Sequence, residues 1–567
     1  MPGRTSLPPP NQALRASVVV PARNEEALVG SCLTALAEQE GIFTEEYEVL
    51  LVLDRCTDST RERALETAAE HPDLHLHLLE GPGQGAGHAR RVGMEEAWAR
   101  LLSVGRPEGL IVSTDADTVV APDWLSLQLE AAARGARAIG GHIELRDEAD
   151  LPRSVSGWRD EQDRLRQYEL LSPLDRDDEN TAMRTEHWRF SGASLALTAA
   201  TYEEIGGLEP RAALEDEHLE RALARRGIPI ERPLAVKVAT SARLVGRATR
   251  GLARDLALAS WIRSNTYDIG DFGLRGLLEK KRATGTFVSA VVPMRGKGRG
   301  TAALIDALEP LAEARLLDER IVLCQATEDH HLVGGSGVKV CRDADLMPGF
   351  GPVRGYGDAL WRGLSVAQGE IVLFLDPSVP DLARHRALGL LGPLLSRDDL
   401  SFVKGFSAEP SDGGSAENLS ELMARPLINL YRPELAGFVE PLSAELAARR
   451  ALLSSLPFPV GYGAPLSLLF DAADVAGVSA LAQTRLGPRP PHHIPLADLR
   501  EAAYATLVAV TARTHGDENL DKHAPGPLFL PLPGRFESRR VAIEERPSLD
   551  SIQPSAISCQ QAHRDKT

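Results

Sequence analysis

The run GLIVSTDADT places Asp115 and Asp117 one residue apart, just beyond an apolar, β-branched stretch. At a strand end, two such carboxylates can point together at a divalent cation. Hard cations such as Mg²⁺ and Mn²⁺ favour oxygen ligands and share them with substrate phosphates. A DxD alone is a weak signal, because surface turns produce it often. Here it has company. Pro21, Ala22, Arg23, Asn24 and Glu25 follow the run SVVV, and Asp54, Arg55, Asp58 and Ser59 follow YEVLLVL. In an open parallel sheet, ligands sit beyond the carboxyl ends of the strands, where all of these residues fall.

Two further clusters have chemical and structural readings that both stay open on residues alone. The glycine run GPGQGAGHARRVG (81–93) has GxGxG spacing and does not follow the first strand, so it is not a dinucleotide fingerprint. It either carries a basic residue, Arg90 or Arg91, toward a ligand or caps the helix that follows. Glu215, Asp216 and Glu217 open the stretch EDEHLERALARRG. Carboxylates suit the positive end of a helix dipole. A displacement at an acceptor hydroxyl also needs a base within hydrogen-bond reach.

The elements that must position these residues repeat. SVVVPARNEE (17–26) and SAVVPMRGKG (289–298) share one grammar, each followed by an amphipathic stretch. Second strands follow in each copy, YEVLLVLD and ERIVLCQA, and later third strands, GLIVSTDAD and GEIVLFLDPS, each with an aspartate at its end. Strand, helix, strand, helix, strand in this rhythm predicts an α/β fold with a parallel sheet covered on both faces. The two starts lie too far apart for a solenoid, so tandem domains of one type are expected.

Together, SVVVPARNEE, VLDRCTDST, STDADT and LEDEHLERAL resemble the family-2 glycosyltransferases of GT-A fold, across about residues 15–270. The resemblance implies two tandem GT-A (nucleotide-diphospho-sugar transferase, Rossmann-like) domains, a nucleotide-sugar donor, a small-molecule acceptor and Mg²⁺ or Mn²⁺. It implies that Pro21, Ala22, Arg23, Asn24 and Glu25 hold the nucleoside and that Asp54 reads the base. Asp115 would lie against ribose or diphosphate, Asp117 would ligate the metal, and Arg90 would face the donor. Asp216 would be the base, with Glu215 assisting. Gly192 and Ser194 would let the acceptor approach the backbone. VATSARLVGRATRG offers Ser241, Arg243 and Arg247, but not the metal-binding histidine that many relatives carry near there.

From about 286 to 500 the chain resembles the glucosyl-3-phosphoglycerate synthases, through GYGDALWRGL, GEIVLFLD, LAQTRLG and the long run 421–463. The framework matches while the chemical positions depart. The donor loop reads Arg295, Gly296, Lys297 and Gly298, and the metal motif reads Asp376, Pro377 and Ser378. Tyr356 replaces a lysine, Pro465 an acid and Pro491 a histidine, with His492 and His493 adjacent. Serine is a poor substitute for a metal-binding carboxylate. This half is expected to be an inactive copy; the rival is a metal-independent site using His492 or His493.

The 567 residues carry 63 Lys and Arg against 80 Asp and Glu, for a net charge of -17, which argues against nucleic acid as partner. No apolar run is long enough for a transmembrane segment. The five cysteines form no CxxC pair and the N-terminus reads as no secretory signal, so a cytoplasmic protein is expected. The expected division is a flexible 1–14, a catalytic domain 15–285, a second domain 286–534 and a disordered tail 535–567. The charged stretch 146–188 reads as a solvated insertion or an acceptor-side lid. Intramolecular packing of the two domains is expected, and a homo-oligomer stays open. The leading function is transfer of a hexose to a small hydroxyl acceptor by the first domain. Glucosyl-3-phosphoglycerate synthase activity involving the second domain, a nucleotidyltransferase and a nucleotide-sugar-binding scaffold are the alternatives.

Overall fold

The computed structural model describes residues 7–146, 155, 161, 164–166, 186–211, 214–244, 246, 251–294, 299–325, 337–379, 382–407, 419–488, 495–515 and 526–552. Two compact units divide between Ser260 and Trp261, ahead of the boundary expected at 285/286.

The first unit is built on a seven-stranded sheet. Strands β1 (Ala16–Ala22), β2 (Tyr47–Leu53), β3 (Leu76–Glu80) and β4 (Leu110–Ser113) run parallel in the order β3-β2-β1-β4. A small sheet beside it joins β5 (Thr118–Val120), β7 (His142–Arg146) and β10 (Lys237–Ser241) in the order β5-β10-β7. The large sheet continues beyond β4 through the antiparallel β8 (Leu195–Thr198), then β6 (Ala138–Gly140) and β9 (Ile230–Glu231). All seven residues of β1 are buried, as a parallel sheet covered on both faces requires. Helices α1 (Val29–Ala37), α2 (Thr60–Glu70), α3 (Ala86–Ser103) and α4 (Trp124–Ala133) connect and cover the strands.

The second unit is built on a sheet of eight strands. They are β11 (Thr266–Asp268), β12 (Val288–Pro293), β13 (Glu319–Cys324), β14 (Val338–Arg342), β15 (Ile371–Phe374), β16 (Phe402–Phe406), β17 (Leu446–Arg449) and β19 (Leu481–Arg485). From β14 the order is β14-β13-β12-β15-β17-β16-β19, with β11 added at the edge. Order and directions repeat those of the first sheet, including the antiparallel β17 in the place of β8. Finer details recur. Ser17 donates to Glu48 at 2.9 Å across β1 and β2, and Ser289 donates to Glu319 at 2.7 Å across β12 and β13. Gly93 lets α3 lie on the sheet, since a Cβ there would meet Val19 at 2.3 Å. Gly363, in the helix Tyr356–Val366, does the same against Val291 at 2.5 Å.

The unit boundary differs from expectation because residues after 260 pack with the second sheet. Trp261 donates to the carbonyls of Val478 and Leu481, Asn265 donates to Leu481, and β11 pairs with β19. The termini differ too. From residue 7 the N-terminal stretch packs: Leu14 is buried, and the Pro8 carbonyl accepts from Arg100 at 2.9 Å. In the segment expected to be disordered from 535, β21 (Arg535–Arg539) pairs with β20 (Leu528–Leu532), and β22 (Glu545–Arg546) pairs with β18 (Phe458–Pro459). The cause is a buried charge. Asp358 is fully enclosed and takes two hydrogen bonds from Arg546, at 2.9 and 2.6 Å. Burial pushes its carboxyl up, but Arg546 and the other donors outweigh that and hold it below its usual value. Residues 553–567 lie outside the described residues. No helix among the described residues is long and apolar enough to cross a membrane.

Candidate active site

A cavity of about 510 Å³ opens at the carboxyl ends of the first unit's strands. The end of β1 and its loop supply Pro21, Ala22, Arg23 and Glu25, and the end of β2 supplies Asp54. Asp115, Ala116 and Asp117 come from the loop after β4, and Glu215 and Asp216 from the first turn of the helix Glu215–Arg225. Of the residues singled out for donor, metal and base roles, only Asn24 is absent from the lining. Its backbone is left-handed, at φ 55°, and its Oδ1 accepts from the Thr57 N–H at 2.7 Å, which ties the first donor loop to the second.

Asp54 is buried and held by the glycine run. It accepts from the backbone N–H of Gly83 and, at 3.1 Å, of Gly85. Gly85, at φ 108°, is also the residue from which α3 starts. The run therefore fixes an acid and caps a helix at once. Gln84, Gly85 and Ala86 line the cavity beside it.

Arg90, only 2% exposed, is the hub of the site. It donates to Asp115 at 2.6 Å, to Glu215 at 3.0 Å, to the Gly192 carbonyl at 3.0 Å and to the Ser113 hydroxyl. Its guanidinium is committed to positioning these groups as well as edging the cavity. Burial works against its charge, but the carboxylates of Asp115 and Glu215 outweigh that and raise its already high pKa. Gly192 must be glycine here, because a Cβ would fall 2.4 Å from Arg90. Arg91 instead pairs with Glu95 on its own helix.

The paired acids of the helix Glu215–Arg225 separate in role. Glu215 is buried against Arg90. Asp216 is half-buried; its Oδ2 accepts from the Gly192 N–H at 3.1 Å and its Oδ1 from the Glu217 N–H at 2.9 Å. Leu214, left-handed at φ 60°, turns the chain into this helix. Ser194 serves the fold, accepting from the indole of Trp124 at 2.9 Å.

Asp117 sits where charge is most concentrated. Burial pushes its carboxyl up to about 6, the negative charges of Asp115 and Glu25 add to the effect, and Arg243 opposes it. Arg243 bridges two of these acids, donating to Glu25 at 2.8 Å and lying 2.9 Å from Asp117 Oδ2. Ser241 also lines the cavity, whereas Arg247 lies outside the described residues. Among the described residues, no group of three His, Cys, Asp or Glu side chains is gathered to hold a metal alone. The donor set still fits a divalent cation that takes part of its oxygen shell from a bound diphosphate. Hard carboxylate oxygens are present, and their mutual repulsion is what such an ion relieves. Arg189, Ser191, Thr240 and Arg254 complete the wall. Nothing in their spacing marks them, because they come from separate segments brought together by folding. The charged stretch 146–188, expected as insertion or lid, lies mostly outside the described residues.

In the second unit, sheet register identifies the corresponding positions. Ser17 faces Ile111, and Ser289 faces Val372, so Asp376 stands where Asp115 does and Ser378 where Asp117 does. By the same register, Gln325 follows β13 in the place of Asp54, and Glu445 takes the place of Ser194. Counting from Gly93 and Gly363, Leu360 replaces Arg90. Glu445 is buried in an ion pair with Arg386, and Lys404, fully buried, donates to the Ser443 carbonyl at 2.7 Å. Tyr356 donates to the Ala444 carbonyl, and Pro465 lies in the first turn of the helix Ala464–Ala476. Residues 295–298 and 491–493 lie outside the described residues.

A strand-end cavity of this kind, on a sheet of this order, defines a nucleotide-sugar glycosyltransferase, and residues 17–189 match the family described as Glycosyl transferase family 2. Glucosyl-3-phosphoglycerate synthase of Mycolicibacterium smegmatis is 34% identical over 289 residues, which span 49% of this chain and 93% of that protein. The chain belongs to the glucosyl-3-phosphoglycerate synthase family. Among solved structures, mannosyl-3-phosphoglycerate synthase from Rubrobacter xylanophilus is 34% identical, with a TM-score of 0.46, over 52% of this chain and 99% of that one. The Mycobacterium tuberculosis glucosyl-3-phosphoglycerate synthase, crystallised with Mn²⁺, UDP-glucose and phosphoglyceric acid, is 32% identical, with a TM-score of 0.44, over 50% and 98%.

Proposed function

We propose that the first unit transfers a hexose from a nucleoside-diphosphate sugar to the hydroxyl of a small acceptor, and that the second unit is a GT-A copy without its own chemistry. The observation that carries this is the convergence of Asp54, Asp115, Asp117 and Asp216 on one cavity. The loop Pro21–Glu25 and Asp54 bound the nucleoside end, with Asp54 aimed by the Gly83 and Gly85 N–H groups. Asp115, fixed by Arg90, lies beside the diphosphate, and Asp117 is the residue that would hold Mg²⁺ or Mn²⁺. When bound there, the cation supplies charge that offsets the departing diphosphate. Asp216, oriented by the Gly192 N–H, takes the proton of the acceptor hydroxyl. Glu215 acts through Arg90 and not on the acceptor.

A second reading is favoured by the identity to a glucosyl-3-phosphoglycerate synthase over 93% of that protein. In it, the chain glucosylates 3-phosphoglycerate. The stretches GYGDALWRGL and GEIVLFLD, through which the sequence resembles that family, lie in the second unit, where Ser378 and Gln325 stand at the positions of Asp117 and Asp54.

The test is one assay on full-length variants, with UDP- and GDP-sugars, Mn²⁺, and 3-phosphoglycerate among the acceptors. Asp117→Asn is expected to abolish transfer and metal binding. Asp216→Asn is expected to keep nucleotide affinity and lose about 10²–10⁴-fold in kcat, the range for a general base. Undiminished turnover in both would overturn the role assignments.

A further inference from the structure

The cation's expected ligand already has a cation on it. Arg243 reaches into the cavity from just beyond β10, and its fork spans Glu25 and Asp117 at 2.8 and 2.9 Å. The other oxygen of Asp117 meets the hydroxyls of Thr118 and Thr240, both at 3.5 Å and too long to hold it firmly. Arg243 is therefore the principal contact of Asp117. The two arginines of the site differ in freedom. Arg90 is 2% exposed and gripped by four groups, so it stays where it is. The Arg243 side chain is 24% exposed and faces the cavity, where it can change partner without opening the core.

We propose that Arg243 is a resident counter-ion that a divalent cation must displace from Asp117, and that on leaving it pairs with the donor's diphosphate, so that metal and nucleotide load together. This rests on the reading of Asp117 as the metal ligand. The physical reason is crowding of like charge. A small cation binds carboxylate oxygen at about 2.1 Å. A guanidinium hydrogen-bonded to the same oxygen would then lie roughly 3–4 Å from that ion, where like charges repel strongly. Metal alone takes Asp117 from Arg243 and leaves it Glu25, with no second acceptor supplied in return. Metal with nucleotide evicts it onto phosphate oxygens, which its planar fork matches. The two ligands then favour each other, and by linkage each strengthens the other equally. The arrangement also accounts for a site with no histidine near residue 243: that quarter of the cavity is taken by an exchangeable arginine.

The test is Mn²⁺ binding to the full chain, read from the EPR signal of the free ion, with and without uridine diphosphate. The variants are Arg243→Met, Arg243→Lys and Asp117→Asn. In the unaltered protein, Mn²⁺ alone is expected to bind weakly and uridine diphosphate to tighten it. Arg243→Met is expected to bind Mn²⁺ alone at least about tenfold more tightly, within the usual span of site–site coupling, and to lose most of the nucleotide's effect. Arg243→Lys keeps the charge, but its single ammonium cannot bridge both carboxylates. It is expected to tighten Mn²⁺ as well, which separates displacement from a plain change of charge. If both Arg243 variants bind Mn²⁺ like the unaltered protein while Asp117→Asn loses it, Arg243 does not stand in the cation's place and the proposal fails. If Arg243→Lys alone behaves as the unaltered protein does, charge suffices and the displacement is wrong. If Asp117→Asn binds Mn²⁺ normally, the metal assignment beneath the proposal falls, and the proposal with it.

Discussion

Arg90 shows how one side chain sets the geometry of four others. Its removal would leave Glu215 charged, buried and uncompensated, and would take from the more exposed Asp115 its partner. Breaking a buried pair from one side costs about 3–5 kcal/mol. Arg90→Met is therefore expected to lower thermal stability by that order and to weaken binding of Mn²⁺ with uridine diphosphate, measured by melting and titration. Arg90→Lys should rescue little, because a point charge cannot span Asp115, Glu215 and the Gly192 carbonyl. At this scale the sequence named residues that gather: Asp54, Asp115, Asp117 and Asp216 all line one cavity, the first three because residues at strand ends are placed by the strands themselves. It gave Asp216 as base with Glu215 assisting, but not that Glu215 is buried against Arg90, since only the packed neighbour decides which of two adjacent helix residues is enclosed. Nor did it assign Arg243 a role, because the Glu25 it meets is 218 residues away along the chain.

Among the elements, the loops that line the cavity after β1 and β2 stay in place because β2 is locked to its neighbours. Glu48, buried on β2, takes a bidentate pair from Arg100 of α3 at 2.8 and 2.6 Å and a hydrogen bond from Ser17 of β1. Burial pushes the Glu48 carboxyl up, but His77, Arg100 and Ser17 outweigh it and bring it down to about 2. A depressed carboxylate stabilises the fold above its unfolded pKa and loses that contribution as pH falls toward its folded pKa. The advantage of the unaltered protein over Glu48→Gln is thus expected to be about 3 kcal/mol near neutral pH. It should shrink between pH 4.5 and about 2, as read by denaturant melts across that range. A constant difference through that window would show that the pair is not what holds β2. The strands and the order of elements were legible, because buried parallel strands leave β-branched runs and their ends leave proline and glycine. The packing role of Gly93 was not, since it is set by Val19 and Val52 on two other elements.

For the molecule as a whole, the decisive feature is one strand order used twice with different residues at the strand ends. Asp376 keeps the position of Asp115, but Ser378, Gln325 and Leu360 fill those of Asp117, Asp54 and Arg90. Asp376→Asn is accordingly expected to leave hexose transfer within about twofold of the unaltered chain, whereas Asp117→Asn abolishes it. A loss with Asp376→Asn, measured as nucleoside diphosphate released per turnover, would move the chemistry to the second unit. The sequence by itself determined the repeated strand pattern, the acids that line the cavity and the family resemblance, because local runs and short motifs carry them. Only the tertiary structure decided where the units divide, that the segment to residue 552 packs, and which acids are paired with which arginines. Those depend on partners distant in the chain: Trp261 on Leu481, Arg546 on Asp358, Arg243 on Glu25. A one-dimensional pattern records which residues are available. The burial that makes a charge seek its partner exists only once the chain has folded.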